Sequence, residues 1–362
     1  MQHALRLGAR GLGQCWPNPS VGCIIVKDNQ IISAARTGQF GRPHAETEAL
    51  VQAGNSAGSS ALGATAYVTL EPCAHVGHTP SCAKALIDAG IARVVIATTD
   101  NDPRVAGKGI AMLKRAQIEV EIGVCEKEAQ LAHRGFFKNI EYRLPYTALK
   151  IATSLDGAIA DSAGQSQWIT STQARLHANA LRARYDAILT GIGTVLADDP
   201  MLTCRLSGMQ EQSPVRVVLD THLRLPLDAQ LVKTAALFPT WVITSTTSID
   251  LHASHAHELR EQGVTILTHD SLSRITPYNA LTLLANEGLT RVLIEAGSEL
   301  SGAFMETRLI DRIYWYRAPI LLQGGKEALR STLSQTLPLA PHYQHKSRIA
   351  LYSDTLDVYD AA

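Results

Sequence analysis

The spacing of apolar and polar positions along the chain predicts a layered α/β protein. Residues 21–26 read as a strand, 28–29 as a turn and 31–34 as a returning strand, after a helical stretch over 1–12. A β-rich run covers 65–70 and breaks at Pro72. An alanine-rich run after His44 reads as a helix stopped at Gly54, and Ser81 is placed to cap a helix over 82–88 that Gly90 closes. Strands follow at 93–98 and 120–124, and helices at 110–116 and 126–139. Leu144-Pro145 interrupts this pattern, so a domain boundary is expected near Glu141, giving domains 1–142 and 143–362. The second half reads as strands at 146–153, 187–190, 215–220, 240–244, 264–267, 291–295 and 312–316, with helices at 172–183 and 278–287. Such alternation implies helices packed on a sheet in each domain.

Composition narrows the class. A chain of 362 residues suffices for two domains with substantial cores. Its 33 basic and 33 acidic residues balance, with no Lys/Arg-rich run, so no nucleic-acid partner is expected. Residues 1–15 lack the apolar centre of a signal peptide, and no run approaches a membrane span. Of six cysteines, Cys15, Cys23, Cys125 and Cys204 have no disulfide-like spacing, so a cytoplasmic location with reduced thiols and no membrane partner is expected.

The chemistry concentrates between His44 and Cys82. Pro43-His44-Ala45-Glu46, Glu71-Pro72-Cys73 and Pro80-Ser81-Cys82 offer one imidazole and two thiols, a three-ligand zinc set of the kind that leaves a fourth position for water. Glu46 is then free to move protons, the division of labour in zinc deaminases of nucleobase amines. His44 and Cys82 fall at expected helix starts, where partial positive charge favours a thiolate, and Cys73 starts a new segment at a strand's carboxyl end. A closed structural zinc site would need a fourth ligand, for which His75 and His78 are the nearest candidates.

Eight residues separate Cys73 from Cys82, unlike the Pro-Cys-x-x-Cys of many deaminases. The segment 71–82 resembles the long loop of the riboflavin-pathway pyrimidine deaminases, and Pro17-Asn18-Pro19-Ser20-Val21-Gly22 resembles their substrate loop. Leu149-Lys150-Ile151-Ala152-Thr153-Ser154-Leu155-Asp156-Gly157, Ser166-Gln167-Trp168-Ile169-Thr170, Gly191-Ile192-Gly193-Thr194-Val195, the run from Asp198 to Arg205 and Glu295-Ala296-Gly297 resemble the reductases fused to them. Over nearly its whole length the chain is similar to the bifunctional riboflavin biosynthesis deaminase-reductases.

That resemblance implies a cytidine-deaminase-like α/β/α domain followed by a dihydrofolate-reductase-like α/β domain. It implies zinc on His44, Cys73 and Cys82, Glu46 as the proton carrier, and Asn18 and His75 fixing the ring of a diaminopyrimidinone bearing a ribosylamino phosphate. NADPH contacts are implied at Ala152, Trp168, Thr194, Asp198 and Thr221, and along Gly297, Ser298, Glu299, Leu300, Ser301, Gly302 and Ala303. Substrate contacts are implied at Ser166, Arg182, Leu202, Arg205 and Glu295, and a homo-oligomer is expected. Ala74, His78, Ser81 and Thr37 stand where the family usually has serine, arginine, proline and histidine.

Physical chemistry supports parts of the second half directly. A strand, then Gly297, then a helix from Ser298 offers amide groups and a positive helix end to a phosphate, although no GxGxxG fingerprint is present. Arg182 and Arg205 suit a sugar phosphate, since guanidinium grips it as a fork. Lys150 and Asp156 read as an ion pair beside a turn. His252, His255 and His257 read as an exposed polar helix, and His177 and His269 lack partners of matching spacing, so they are given no role. The rival readings are a nucleoside or nucleic-acid deaminase with an accessory domain, and a nucleotide sensor with structural zinc.

Overall fold

A computed structural model describes every residue except 56–59, 75–79, 104, 271–273, 332–335 and 337–338, and it divides into two units, Met1–Leu144 and Pro145–Ala362. The first unit runs α1 (Gln2–Ala9), β1 (Gly22–Lys27), β2 (Gln30–Arg36), α2 (Ala45–Asn55), β3 (Thr65–Val68), α3 (Cys82–Asp88), β4 (Arg93–Ile96), α4 (Lys108–Arg115), β5 (Glu119–Ile122) and α5 (Glu126–Tyr142). Its sheet has the order β2-β1-β3-β4-β5, with β1 antiparallel to both neighbours and β3, β4 and β5 parallel. The inner strands β1, β3 and β4 carry Cys23, Ile25, Val68, Val94 and Ile96 into one apolar core with Ala49, Leu86, Leu113 and Phe137 from the helices. Helix α1 lies so close to β1 that a Cβ on Gly22 would come 2.0 Å from the Ala4 carbonyl oxygen. The edge strand β5 is short and acidic, and Arg93 of β4 pairs with its Glu119 and Glu121, which blunts the edge.

The second unit contains β6 (Tyr146–Thr153), β7 (Ala158–Ala160), α6 (Thr172–Arg182), β8 (Ala187–Gly191), α7 (Ile192–Asp198), β9 (Val215–Leu219), α8 (Gln230–Lys233) and β10 (Thr240–Ser245). It continues through α9 (Thr246–Leu251), α10 (Ala253–Glu261), β11 (Val264–His269), α11 (Pro277–Asn286), β12 (Arg291–Ile294), α12 (Ser298–Glu306), β13 (Arg312–Arg317), β14 (Lys326–Glu327), β15 (Tyr343–Leu351) and β16 (Asp354–Ala361). Nine strands form one sheet in the order β11-β10-β9-β8-β12-β6-β13-β16-β15, and β7 pairs with β14. Strands β11 to β13 in this order are parallel, and β16 and β15 extend them antiparallel. Because β12 inserts between β8 and β6, the winding reverses there. In open α/β sheets such reversals are where ligands bind, beyond the carboxyl ends of the strands.

Element boundaries depart from expectation where local signals compete. Helix α1 stops at Ala9, before the glycine-rich stretch, whereas α5 continues to Tyr142. The β15–β16 hairpin was not anticipated: β15 is exposed along almost its whole length, so it carries no apolar alternation to read. Among the described residues no helix is long and apolar enough to cross a membrane.

Candidate functional sites

In the first unit three chain segments bring the expected ligands together. His44 is the last residue before α2, and its carbonyl accepts the Glu48 amide at 3.0 Å, so the imidazole is anchored at the first helical turn. Cys82 opens α3, whose N-cap is Ser81, with Oγ accepting from the Lys84 amide at 3.3 Å. Cys73 lies on irregular chain four residues beyond Thr69 rather than at a helix start, and its carbonyl accepts the Ala83 amide at 3.1 Å. His44 Nδ1 lies 3.2 Å from Cys82 Sγ and 3.7 Å from Cys73 Sγ, and all three donor atoms fall within 4.8 Å of one another. Donors about 2.0–2.3 Å from a tetrahedral zinc stand about this far apart, so the set fits that ion. The Cys82 thiol, then the His44 imidazole and the Cys82 amide that donates to Cys73 Sγ at 3.3 Å, outweigh burial and hold the Cys73 thiol down to about 4.

Glu46 follows His44 by two residues and is only 4 % exposed. Burial, and then the neighbouring Cys73 thiolate, push its carboxyl up to about 7. A carboxyl poised near neutrality can both accept and return a proton.

Neighbouring residues fix this frame. Asn18 donates through Nδ2 to the Gly41 carbonyl at 3.0 Å, three residues before His44. Thr37 accepts from the Val21 amide at 2.9 Å and donates to the Pro19 carbonyl at 3.1 Å, so it stitches down the 17–22 loop in place of a histidine. His75 and His78 lie outside the described residues. Sequence reasoning gave Glu71 no role, yet its buried carboxylate accepts amides from the start of α4. The one available signal was its place directly before Pro72-Cys73.

In the second unit the centre is Glu295, just after β12. Its side chain is 10 % exposed and faces two cations: Arg182 as a fork, Nε to Oε1 and Nη2 to Oε2 both at 2.9 Å, and Lys150 Nζ at 3.7 Å. Burial alone would raise this carboxyl, but Arg182 and Lys150, with Arg205 adding to them, hold it down at about 2. Lys150 therefore pairs with Glu295 and not with Asp156, whose carboxylate accepts from Ser154 Oγ at 2.5 Å and from the Leu322 and Gln323 amides at 3.2 and 3.0 Å. Arg182 spends its remaining arm on the Thr203 carbonyl at 3.0 Å, so it orients Glu295 and the 203 segment instead of offering an open fork to phosphate. Arg205 is exposed beside this cluster, its amide donating to Asn179 Oδ1 at 3.2 Å.

The winding reversal sets α7, after β8, beside α12, after β12. A Cβ on Gly297 would stand 3.7 Å from Thr194 Oγ1, and one on Gly191 would stand 3.1 Å from Leu300 Cδ2. Thr190 Oγ1 and Ser298 Oγ are buried without a hydrogen-bond partner among the described residues, which suits a polar ligand or water at this crevice. Trp168 is exposed with the Arg175 guanidinium 4.5 Å from its ring centroid, an aromatic platform. These features fit a phosphate-bearing nucleotide cofactor.

Residues 1–98 match the cytidine and deoxycytidylate deaminase zinc-binding region, and 145–353 match the RibD C-terminal domain. The riboflavin biosynthesis protein RibD of Bacillus amyloliquefaciens is 41 % identical over 346 residues, covering 95 % of this chain and 91 % of that protein. The chain belongs to the RibD family. The RibD of Escherichia coli strain K12 is 39 % identical over 358 residues, covering 96 % and 94 % of the two chains. Among solved structures, Acinetobacter baumannii RibD form 1 superposes with a TM-score of 0.86 at 41 % identity, covering 100 % of this chain and 98 % of that one. A Thermotoga maritima protein described as a diaminohydroxyphosphoribosylaminopyrimidine deaminase/5-amino-6-(5-phosphoribosylamino)uracil reductase gives 0.87 at 32 % identity, covering 100 % and 97 %. As a RibD protein the chain joins a zinc-binding deaminase unit to a reductase unit and serves riboflavin biosynthesis.

Several expected RibD contacts need restating. Leu202 has φ 51 and a side chain buried in the core with Ile188, Ile192 and Val218, so only its backbone can meet substrate. Within 297–303, Leu300 packs against Gly191, Glu299 pairs with Arg330 at 3.5 Å, and Gly302 leaves no room for a Cβ beside the Arg330 carbonyl, 1.9 Å away. The Thr221 carbonyl accepts from Thr244, Ser245 and Ser248, tying the ends of β9 and β10 together. Ala152 and Ser166 are half-buried, and Asp198 is exposed at the end of α7. The histidines given no role are held by structural hydrogen bonds: His177 Nδ1 meets Tyr316 Oη at 2.8 Å, His269 meets Asn279 at 2.9 Å, and His255 reaches the Leu225 carbonyl at 2.9 Å.

Proposed function

We propose that this chain performs two consecutive reactions: hydrolytic deamination of a diaminopyrimidinone bearing a ribosylamino phosphate, then NADPH-dependent reduction of its ribosyl group to ribityl. The observation that carries the reading is the three-donor set of His44, Cys73 and Cys82 beside a buried carboxyl two residues from the histidine. Zinc on those donors supplies the Lewis acidity that makes water nucleophilic near neutral pH. Glu46 takes the water's first proton and passes it to the ring nitrogen as the hydroxyl adds to the amine-bearing carbon, then carries the second proton from the added hydroxyl to the amino group, so that ammonia leaves as the carbonyl forms. Asn18 and His75 hold the ring.

In the reductase unit NADPH supplies the hydride. Trp168, Thr194, Asp198, Thr221, Ala152 and the backbone at Gly297 and Ser298 align it. Ser166, the Leu202 backbone, Arg205 and Glu295 position the sugar phosphate, with Arg182 orienting Glu295. A cytoplasmic location and a homo-oligomeric state belong to the same reading.

Glu46→Gln is the test: the purified protein should keep its zinc yet release no ammonia from the diamino substrate, while still consuming NADPH when given the deaminated compound. Ammonia release at the original rate would remove Glu46 from the mechanism.

A further inference from the structure

We propose that Glu71 is a positioning residue of the zinc site, acting through Cys73 by clamping the start of α4 to the turn that carries this ligand. The Glu71 side chain is buried, with the residue 3 % exposed, and both oxygens are spoken for by backbone amides. Oε1 accepts from Gly109 at 3.0 Å and Ile110 at 3.3 Å, and Oε2 accepts from Gly107 at 3.0 Å and Asp100 at 3.4 Å. Gly107 is the N-cap of α4 and Gly109 and Ile110 belong to its first turn, so a carboxylate from a distant segment satisfies amides that a helix leaves unpaired. The Glu71 amide is itself held by the Thr98 carbonyl at 3.0 Å.

The clamp is close as well as polar. A Cβ on Gly109 would lie 1.9 Å from the Pro72 carbonyl oxygen, so α4 rests directly on the peptide that leads into Cys73. The Cys73 carbonyl in turn takes the Ala83 amide of α3 at 3.1 Å. Cys73 has no helix or strand of its own to fix it, and the starts of these two helices hold it, one through its own carbonyl and the other through the peptide before it. Glutamine cannot replace Glu71, because its NH2 group would face two of the four donors. The expected consequence resembles that of removing a group that orients a metal ligand, roughly 10–100-fold in metal affinity.

The inference rests on zinc being held by His44, Cys73 and Cys82, which a zinc titration of the wild-type full chain reads separately. Linkage makes the coupling reciprocal, so zinc must also steady α4. In the wild-type full chain, amide hydrogen exchange at Gly107, Gly109 and Ile110 should slow on adding zinc to chelator-stripped protein. Exchange there that ignores zinc overturns the proposal, without any variant having to fold. Glu71→Gln and Gly109→Ala, approached from the two sides of the clamp, should each weaken zinc roughly tenfold or more in competition with a chromophoric chelator. A cooperative urea transition of the first unit, followed by far-UV circular dichroism, reports that each variant is folded there. Variants that melt earlier but bind zinc as tightly as wild type would make Glu71 a helix cap and nothing more, and would sink the idea.

Discussion

Glu295 is buried, yet it stays ionised because Arg182 grips both of its oxygens and Lys150 stands 3.7 Å away. Removing one cation from such a cluster strands the carboxylate, so Arg182→Ala should be destabilising, read as a lower urea midpoint than that of wild type. Arg205 is exposed and differs. Arg205→Ala should raise KM for the phosphorylated substrate roughly 10- to 150-fold, the effect of losing a charged hydrogen bond worth about 1.5–3 kcal/mol, with little change in KM for NADPH; equal losses in both would contradict its assignment. His133 gives a pH prediction for the first unit. It is buried in α5 with Nε2 3.1 Å from Thr69 Oγ1, and burial holds the imidazole down to about 4. Unfolded histidine titrates near 6.5, so as pH falls from about 6.5 to about 4 the unfolded chain binds a proton that the folded chain refuses. Stability present above that window should drop across it by on the order of 3 kcal/mol. Urea unfolding of wild type and His133→Gln at pH 7 and pH 4.5 measures this, and an identical pH slope in both proteins would assign the loss to other groups.

At the scale of elements, the closest contacts are made by glycines. Gly22 lets α1 lie against β1, with a hypothetical Cβ only 2.0 Å from the Ala4 carbonyl oxygen. Gly22→Ala should force the two apart and cost about 1–3 kcal/mol, seen as a lower urea midpoint with an unchanged slope. The helices that start just after His44 and at Cys82 are legible from their caps and stops, since an alanine-rich run and a serine before a helical stretch are local signals. Cys73 was not legible in the same way. Its position depends on Thr98, Ala83 and the start of α4, none of which is near it in the chain. The β15–β16 hairpin escaped for another reason: an edge strand exposed on both faces has no period-two pattern to find.

At the scale of the whole molecule, each unit holds its own chemistry. His44, Cys73 and Cys82, the candidate metal ligands, all lie within Met1–Leu144, and the Arg182, Lys150 and Glu295 cluster lies within Pro145–Ala362. Stripping zinc with a chelator should therefore abolish ammonia release while leaving NADPH oxidation on the deaminated substrate at its original rate. Ammonia and absorbance assays on one preparation check both halves, and parallel loss of the two activities would reject this independence.

The sequence by itself determined the α/β character of both halves and picked out His44, Cys73 and Cys82, which the fold brings within 4.8 Å of one another, with the carboxyl beside them, because strand and helix periods, caps and donor chemistry are written in neighbouring residues. Tertiary structure alone decided which charges pair, since Arg182 lies 113 positions from Glu295 and competes there with Lys150. It also decided that Leu202 turns into the core, and that a carboxylate at position 71 reaches the amides of α4. Those outcomes depend on which distant segments packing brings within hydrogen-bond range, and no local pattern encodes that.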